Sequence, residues 1–224
     1  MPVDEQLVDR IRERFRRAGH LRQFRRGDFL CTAGTASDEV LLIESGSVKV
    51  VLHGQNGADS ILGFYGPGDV LGELGVVWER RRSANVVART AGTATHVDAR
   101  TFKNMLTDGS EVLRFVNALL QKRLLLADRR QERLASMEAP VRVARQLLDL
   151  ARVFGERVER GLQVSGLTQL ELAQSVTASA KTVDLALKQL RADGLLRTRR
   201  CQYLLPDPEL LERRLDDPDW RPGR

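Results

Sequence analysis

With 224 residues, 42% of them hydrophobic, the chain has apolar material for one large domain or two ordinary ones, and disorder is excluded as its leading description. A formal net charge of +6 favours a polyanionic partner without naming one. The two cysteines, Cys31 and Cys201, stand far apart, which excludes a disulfide framework or a zinc or iron–sulfur cluster and makes a reducing cytoplasm the expected location.

Residues 1–30 hold no continuous apolar stretch, and no later run approaches the ~20 apolar residues of a membrane span, so no membrane partner is expected. Leu7, Ile11 and Phe15, at four-residue spacing, predict a short amphipathic helix over residues 4–18. From Leu21 to about Ala99 the period changes. Short runs rich in Val, Ile, Leu and Phe (Phe24, Val40 to Ile43, Val48 to Leu52, Ile61 to Phe64, Val86 to Val87, His96 to Val97) alternate with glycines. A turn signal every ~8 to 12 residues predicts an antiparallel barrel or roll. Ser45-Gly46 and Gln55-Asn56-Gly57 read as hairpin turns, because glycine and asparagine accept the positive φ such turns need.

Inside this region, Gly72-Glu73-Leu74-Gly75 followed by Arg82-Ser83-Ala84 gathers a carboxylate, a guanidinium and a hydroxyl around a glycine-rich turn. A carboxylate suits a sugar hydroxyl. Arginine, hydroxyl and free amides at the start of a short helix suit a cyclic phosphodiester.

Phe102 to Leu106 allows one helical turn or two, and Glu111 to Met137 predicts a much longer helix. Its Leu113, Val116, Leu120, Arg123, Ala127, Arg130, Leu134 and Met137 advance by alternating steps of three and four, a heptad-like seam. The seam either packs on the roll or also pairs with its twin across a two-fold axis. Pro140 should break the helix, which puts a hinge at residues 136–140. Val143, Leu147, Leu150 and Val153 then define another amphipathic helix up to Gly155, and Leu162 and Val164 alternate as a short strand.

Thr168 with Glu171 forms a capping box, Leu170, Leu172 and Ala173 begin an apolar face, and Thr177-Ala178 makes a tight turn. Ser179 caps a second helix in which Val183, Leu187 and Leu190 face inward while Ala180, Lys181, Asp184 and Lys188 share the outer face. This is the helix-turn-helix arrangement, whose second helix enters the major groove. Leu195 to Leu205 reads as strand, basic turn (Arg197, Arg199, Arg200) and strand, a wing whose arginines meet phosphate. No Gly-x-Ser-x-Gly elbow, Walker loop or histidine–carboxylate metal set is present, so no enzyme activity, metal or obligatory cofactor is expected.

Over about residues 20–205 the chain resembles the Crp/Fnr family of bacterial transcription regulators. The resemblance rests on Gly66-Pro67-Gly68-Asp69 leading into Gly72-Glu73-Leu74-Gly75, on Arg82-Ser83-Ala84, and on Leu167-Thr168-Gln169 through Thr182-Val183. It implies an α+β architecture: an N-terminal β-roll of the cyclic-nucleotide-binding, jelly-roll type over residues 1–109, a long dimerisation helix over 110–137, and a C-terminal winged helix-turn-helix over 138–224. It also implies a homodimer on a two-fold operator in double-stranded DNA, allosteric control by a small ligand, and contact with RNA polymerase if the protein is an activator. Glu73 is assigned to the ribose 2′-hydroxyl, and Arg82, Ser83 and the amides near Gly72 to the cyclic phosphate, with Leu74 counted among the ligand-binding residues and Arg123 approaching the same site. The alternatives are an internal Glu73–Arg82 pair holding an unliganded roll together, or a nucleotide-binding module that does not touch DNA.

Two departures from the family pattern stand out. Where cAMP-responsive relatives meet the base with hydroxyl residues on the long helix, this chain has Ala127 and Asp128. The carboxylate of Asp128 matches the adjacent N–H donors of guanine better than the single amino group of adenine, so a guanine cyclic nucleotide joins cAMP as an expected effector. Asp128 paired with Arg129 or Arg130 of a second copy is equally consistent with the sequence. In the recognition helix, Ala180-Lys181 and Leu185 replace the family's Arg-Glu pair and later Arg, which implies a different operator. Lys181 and Asp184 are read as base contacts, with Ser179, Thr182 and Lys188 on phosphates.

Overall fold

The first helix, α1 (Glu5–Ala18), buries Ile11 and Phe15 completely against Val40, Leu42, Val97 and Phe102, as its four-residue spacing requires. The computed structural model describes residues 5–54, 59–108 and 110–223. The chain divides into two compact units, Met1–Asp128 and Arg129–Arg224.

Two four-stranded antiparallel sheets build the roll of the first unit. One has the order β1-β8-β3-β6, formed by β1 (His20–Phe24), β3 (Glu39–Ser45), β6 (Val70–Leu71) and β8 (Gly92–Asp98). The other has the order β2-β7-β4-β5, formed by β2 (Phe29–Cys31), β4 (Val48–His53), β5 (Asp59–Tyr65) and β7 (Asn85–Ala88). Leu41 and Ile43 point into the roll with Phe24, Val48, Val86 and Ala94, whereas Val40 and Leu42 point out to the helices. The apolar run Val40 to Ile43 is continuous because β3 is covered on both faces.

Ser45-Gly46 is not a hairpin turn. β3 pairs with β8 and β6, and β4 pairs with β5 and β7, so the turn is a corner that hands the chain from one sheet to the other. Gly46 is needed there twice over, by a φ of +76° and by Ala91 O, which a Cβ would approach to 2.4 Å. Gln55-Asn56-Gly57 lies outside the described residues; the flanking β4 and β5 pair antiparallel out to His53 and Asp59.

After the short α2 (Glu73–Val77), α3 runs over Ala99–Thr107, longer than the predicted turn or two because Asp98 caps it through Thr101 N at 2.9 Å. The long helix α4 (Ser110–Ser136) begins in the first unit and ends in the second. Val112, Phe115 and Val116 are buried in the core and Leu119 and Leu120 pack on it, so the start of the seam does pack on the roll. Leu113, placed on the seam by its spacing, faces solvent, because the inward stripe runs through Val112 instead. Beyond Leu120, α4 leaves Leu124 64% exposed and Leu125 and Leu126 each 51% exposed.

In the second unit the break falls at Met137–Glu138, and Pro140 sits in the first turn of α5 (Ala139–Phe154), where its missing N–H costs nothing. The buried stripe of α5 continues through Leu147, Leu150 and Ala151, leaving Val153 exposed, contrary to its predicted inward place. A four-stranded antiparallel sheet of order β11-β12-β10-β9 comprises β9 (Glu156–Val158), β10 (Gly161–Ser165), β11 (Arg197–Arg199) and β12 (Gln202–Leu205). With it come α6 (Gln169–Val176), α7 (Ala180–Ala192) and a final α8 (Pro208–Leu215).

Candidate ligand pocket and nucleic-acid interface

The turn Gly66-Pro67-Gly68-Asp69 closes on itself through Asp69 Oδ2, which accepts from Gly66 N at 2.9 Å, and feeds β6 alongside β3. Gly72 follows in the left-handed region at φ +85°, and a Cβ on it would lie 2.1 Å from Arg82 Nη1. The glycine therefore admits the guanidinium. Arg82 is only 7% exposed and donates to Gly72 O at 3.0 Å and to Glu39 O at 2.6 Å. Among the described residues no carboxylate lies within ion-pair distance of it.

Glu73 is 3% exposed. Its Oε1 accepts from Arg123 Nη1 at 2.7 Å, and the same guanidinium donates to Val70 O and lies 5.0 Å above the Tyr65 ring centroid. The Glu73–Arg82 pair weighed from the sequence is thus replaced by Glu73–Arg123, and Arg82 spends its donors on carbonyl oxygens. Burial pushes the Tyr65 phenol up, with the nearby Arg123 charge pulling the other way. Burial likewise pushes the Cys31 thiol up to about 11, against the Arg82 charge.

Gly72, Glu73, Arg82 and Arg123 are brought together. Leu74 and Ser83, next to them in sequence, are exposed, and Ala127 and Asp128 are exposed about one turn beyond Arg123 on α4. Two open clefts of the roll, of about 350 and 390 Å3, are lined by other residues, among them Ser37, Arg80 and Lys103 in the first and Arg22, Glu39 and His96 in the second. Neither cleft coincides with the cradle, into which the Arg123 side chain reaches through its contacts with Glu73 and Val70 O.

In the second unit Thr168 caps α6: its Oγ1 accepts from Glu171 N at 3.1 Å, and Glu171 Oε2 accepts from Thr168 N at 2.8 Å. Thr177, at φ +52°, turns the chain, and Ser179 caps α7 by accepting from Thr182 N at 3.1 Å. Leu170 is exposed although it was expected on the apolar face; the inward stripe of α6 runs through Leu172, Ala173 and Val176. Along α7, Val183, Ala186, Leu187 and Leu190 are buried, and Ala180, Lys181, Leu185 and Lys188 are exposed. Asp184 Oδ2 holds Lys188 Nζ at 2.8 Å, whereas Lys181 has no ion pair or hydrogen bond among the described residues. Arg197 and Arg199 stand on β11 rather than in a basic turn, because the strand starts two residues after Leu195; Arg200 alone of the three occupies the turn. Arg191 Nη1 donates to Thr198 Oγ1 at 3.0 Å and ties α7 to the wing. From sequence, Leu185 stands out only as a missing arginine; its exposure is visible once the inward stripe of α7 is known.

A β-roll with a buried guanidinium cradle, carried on the same chain as a winged helix-turn-helix, defines a DNA-binding regulator with a ligand-binding domain. Residues 21–108 match the cyclic nucleotide-binding domain and residues 141–214 the Crp-like helix-turn-helix domain. The chain is 32% identical over 192 residues to the CRP-like cAMP-activated global transcriptional regulator of Mycobacterium tuberculosis, covering 85% of this chain and 86% of that one. It is 28% identical over 179 residues to the cAMP-activated global transcriptional regulator CRP of Escherichia coli, covering 79% and 85% respectively. Among solved structures, the c-di-GMP responsive global regulator CLP of Xanthomonas campestris matches with a TM-score of 0.77 at 26% identity, over 91% of this chain and 100% of that one. The chain belongs to the Crp/Fnr family of transcription regulators. No helix among the described residues is long and apolar enough to cross a membrane.

Proposed function

We propose that this regulator works as a homodimer whose affinity for a two-fold DNA operator is set by a cyclic nucleotide held in the roll. The observation that carries the ligand reading is Arg82, a buried guanidinium that among the described residues is met only by carbonyl oxygens, so that its charge favours an anion. In this reading Arg82 and Ser83 take the cyclic phosphate with the amides near Gly72, and Glu73 takes the sugar hydroxyl. Asp128, exposed and without an ion pair among the described residues, is available to a guanine base. The names of the relatives, cAMP-activated in two cases and c-di-GMP responsive in a third, support a nucleotide effector of this class. Dimerisation would use the exposed Leu124, Leu125 and Leu126 of α4, and the protein would act in the cytoplasm without a catalytic step of its own.

A second reading is favoured by the Glu73–Arg123 contact, which already satisfies the carboxylate: the roll closes on itself and the protein needs no effector. Calorimetry with cAMP and cGMP, paired with gel shifts of genomic fragments with and without each nucleotide, separates the two. Heat from either nucleotide together with a changed shift supports the ligand-controlled reading; no heat and an unchanged shift supports the effector-free one.

A further inference from the structure

Lys181, Asp184, Leu185 and Lys188 occupy positions i, i+3, i+4 and i+7 of α7, one face of a helix, opposite the buried Val183, Ala186, Leu187 and Leu190. An isolated exposed leucine is ordinary. This one is 53% exposed at the middle of the polar face that a helix-turn-helix presents to the major groove, with Lys181, unpaired among the described residues, one turn before it and an Asp184–Lys188 pair flanking it.

Only one base offers such a side chain a match. The C5-methyl of thymine is the one methyl group of the major-groove edge; apart from the small C5–H of cytosine, the other edge positions are hydrogen-bond donors or acceptors. Against a leucine those donors and acceptors lose water and gain no partner, so the side chain also selects against them. We infer that Leu185 reads a thymine methyl, fixing one thymine in each half-site of the operator. The inference rests on the assignment of α7 as the groove-entering helix.

The test uses the full chain and a duplex selected from a random library. Each thymine is replaced in turn by uracil, which removes the methyl and nothing else. Binding should weaken about fourfold at one thymine per half-site, the worth of one buried methyl group. In Leu185→Ala the same replacement should cost nothing, whereas Leu185→Met should keep the penalty. A penalty that persists in Leu185→Ala belongs to DNA shape and overturns the proposal, as does a scan in which no uracil weakens the wild type. Failure to select any duplex at low salt is a different result: it removes the groove-helix assignment itself. Because Leu185 is exposed, its replacement leaves the core intact, and an unchanged Tm checks this.

Discussion

Arg123 Nη1 lies 2.7 Å from Glu73 Oε1, and this contact joins the long helix to the start of α2 across 50 positions of sequence. The carboxylate side chain is 4% exposed and the guanidinium 20%. A buried pair of this kind adds little over an apolar replacement, yet removing one member strands the other.

Arg123→Leu should therefore destabilise the protein by roughly 3 kcal/mol, since it leaves Glu73 buried and unpaired. The double variant Glu73→Gln with Arg123→Leu should recover more than half of that loss. Urea unfolding of the four proteins of this cycle measures both; additive single effects would mean that the two side chains do not depend on each other.

Gly72 separates backbone strain from ligand chemistry. Gly72→Ala and Gly27→Ala both place an alanine in the left-handed region, at φ +85° and +92°, for about 1–2 kcal/mol each. A Cβ at Gly27 meets nothing within 4 Å, whereas one at Gly72 collides with Arg82 Nη1 at 2.1 Å. Calorimetry should find nucleotide binding lost in Gly72→Ala and kept in Gly27→Ala. Equal binding in both would detach Arg82 from the ligand.

What the sequence carried and what it withheld follow from range. The four-residue spacing of Leu7, Ile11 and Phe15, the capping box at Thr168 and the tight turn at Thr177-Ala178 are local, and all were legible; that Thr177 makes its turn in the left-handed region came only with the structure. Gly46 was legible as a turn, but which sheet each flanking strand would join depends on pairings with β8 and β7 far along the chain. β2 and β6, with three and two residues, are too short to show a period. α8 announced itself through Asp207 and Pro208, a cap followed by proline, and was not predicted. At the cradle, Glu73 and Arg82 belong to local motifs, but the choice of Arg123 over Arg82 as the carboxylate's neighbour is tertiary.

His96 should make the roll acid-sensitive. Burial holds its pKa below the ordinary ~6.5, and although Glu39 Oε1, 3.0 Å from Nδ1, pulls the other way, burial is the larger effect. The folded state thus prefers the neutral ring. Its contribution is present above the unfolded value and is lost as pH falls through the folded one. Urea midpoints should fall from about pH 7 to pH 5 in the wild type and fall less in His96→Gln. An identical decline in both would assign the acid sensitivity to carboxylates instead.

Lys181 and Lys188 lie on one face of α7 but differ in what restrains them. Lys188 is held by Asp184 at 2.8 Å, so part of its charge is already met, whereas Lys181 is unpaired among the described residues. Lys181→Ala should therefore change which sequences are preferred, through a lost base-edge contact. Asp184→Asn should release Lys188 to the phosphates, tighten binding to random duplexes and steepen the salt dependence by about one counterion per protomer. Lys188→Ala should do the reverse at every sequence and also turn the Asp184 carboxylate, stripped of its cation, toward a polyanion. Salt titrations on a selected and a random duplex distinguish these outcomes: equal losses on both for Lys181→Ala would make that lysine a phosphate contact, and leave the edge-reading role to Asp184 and Leu185.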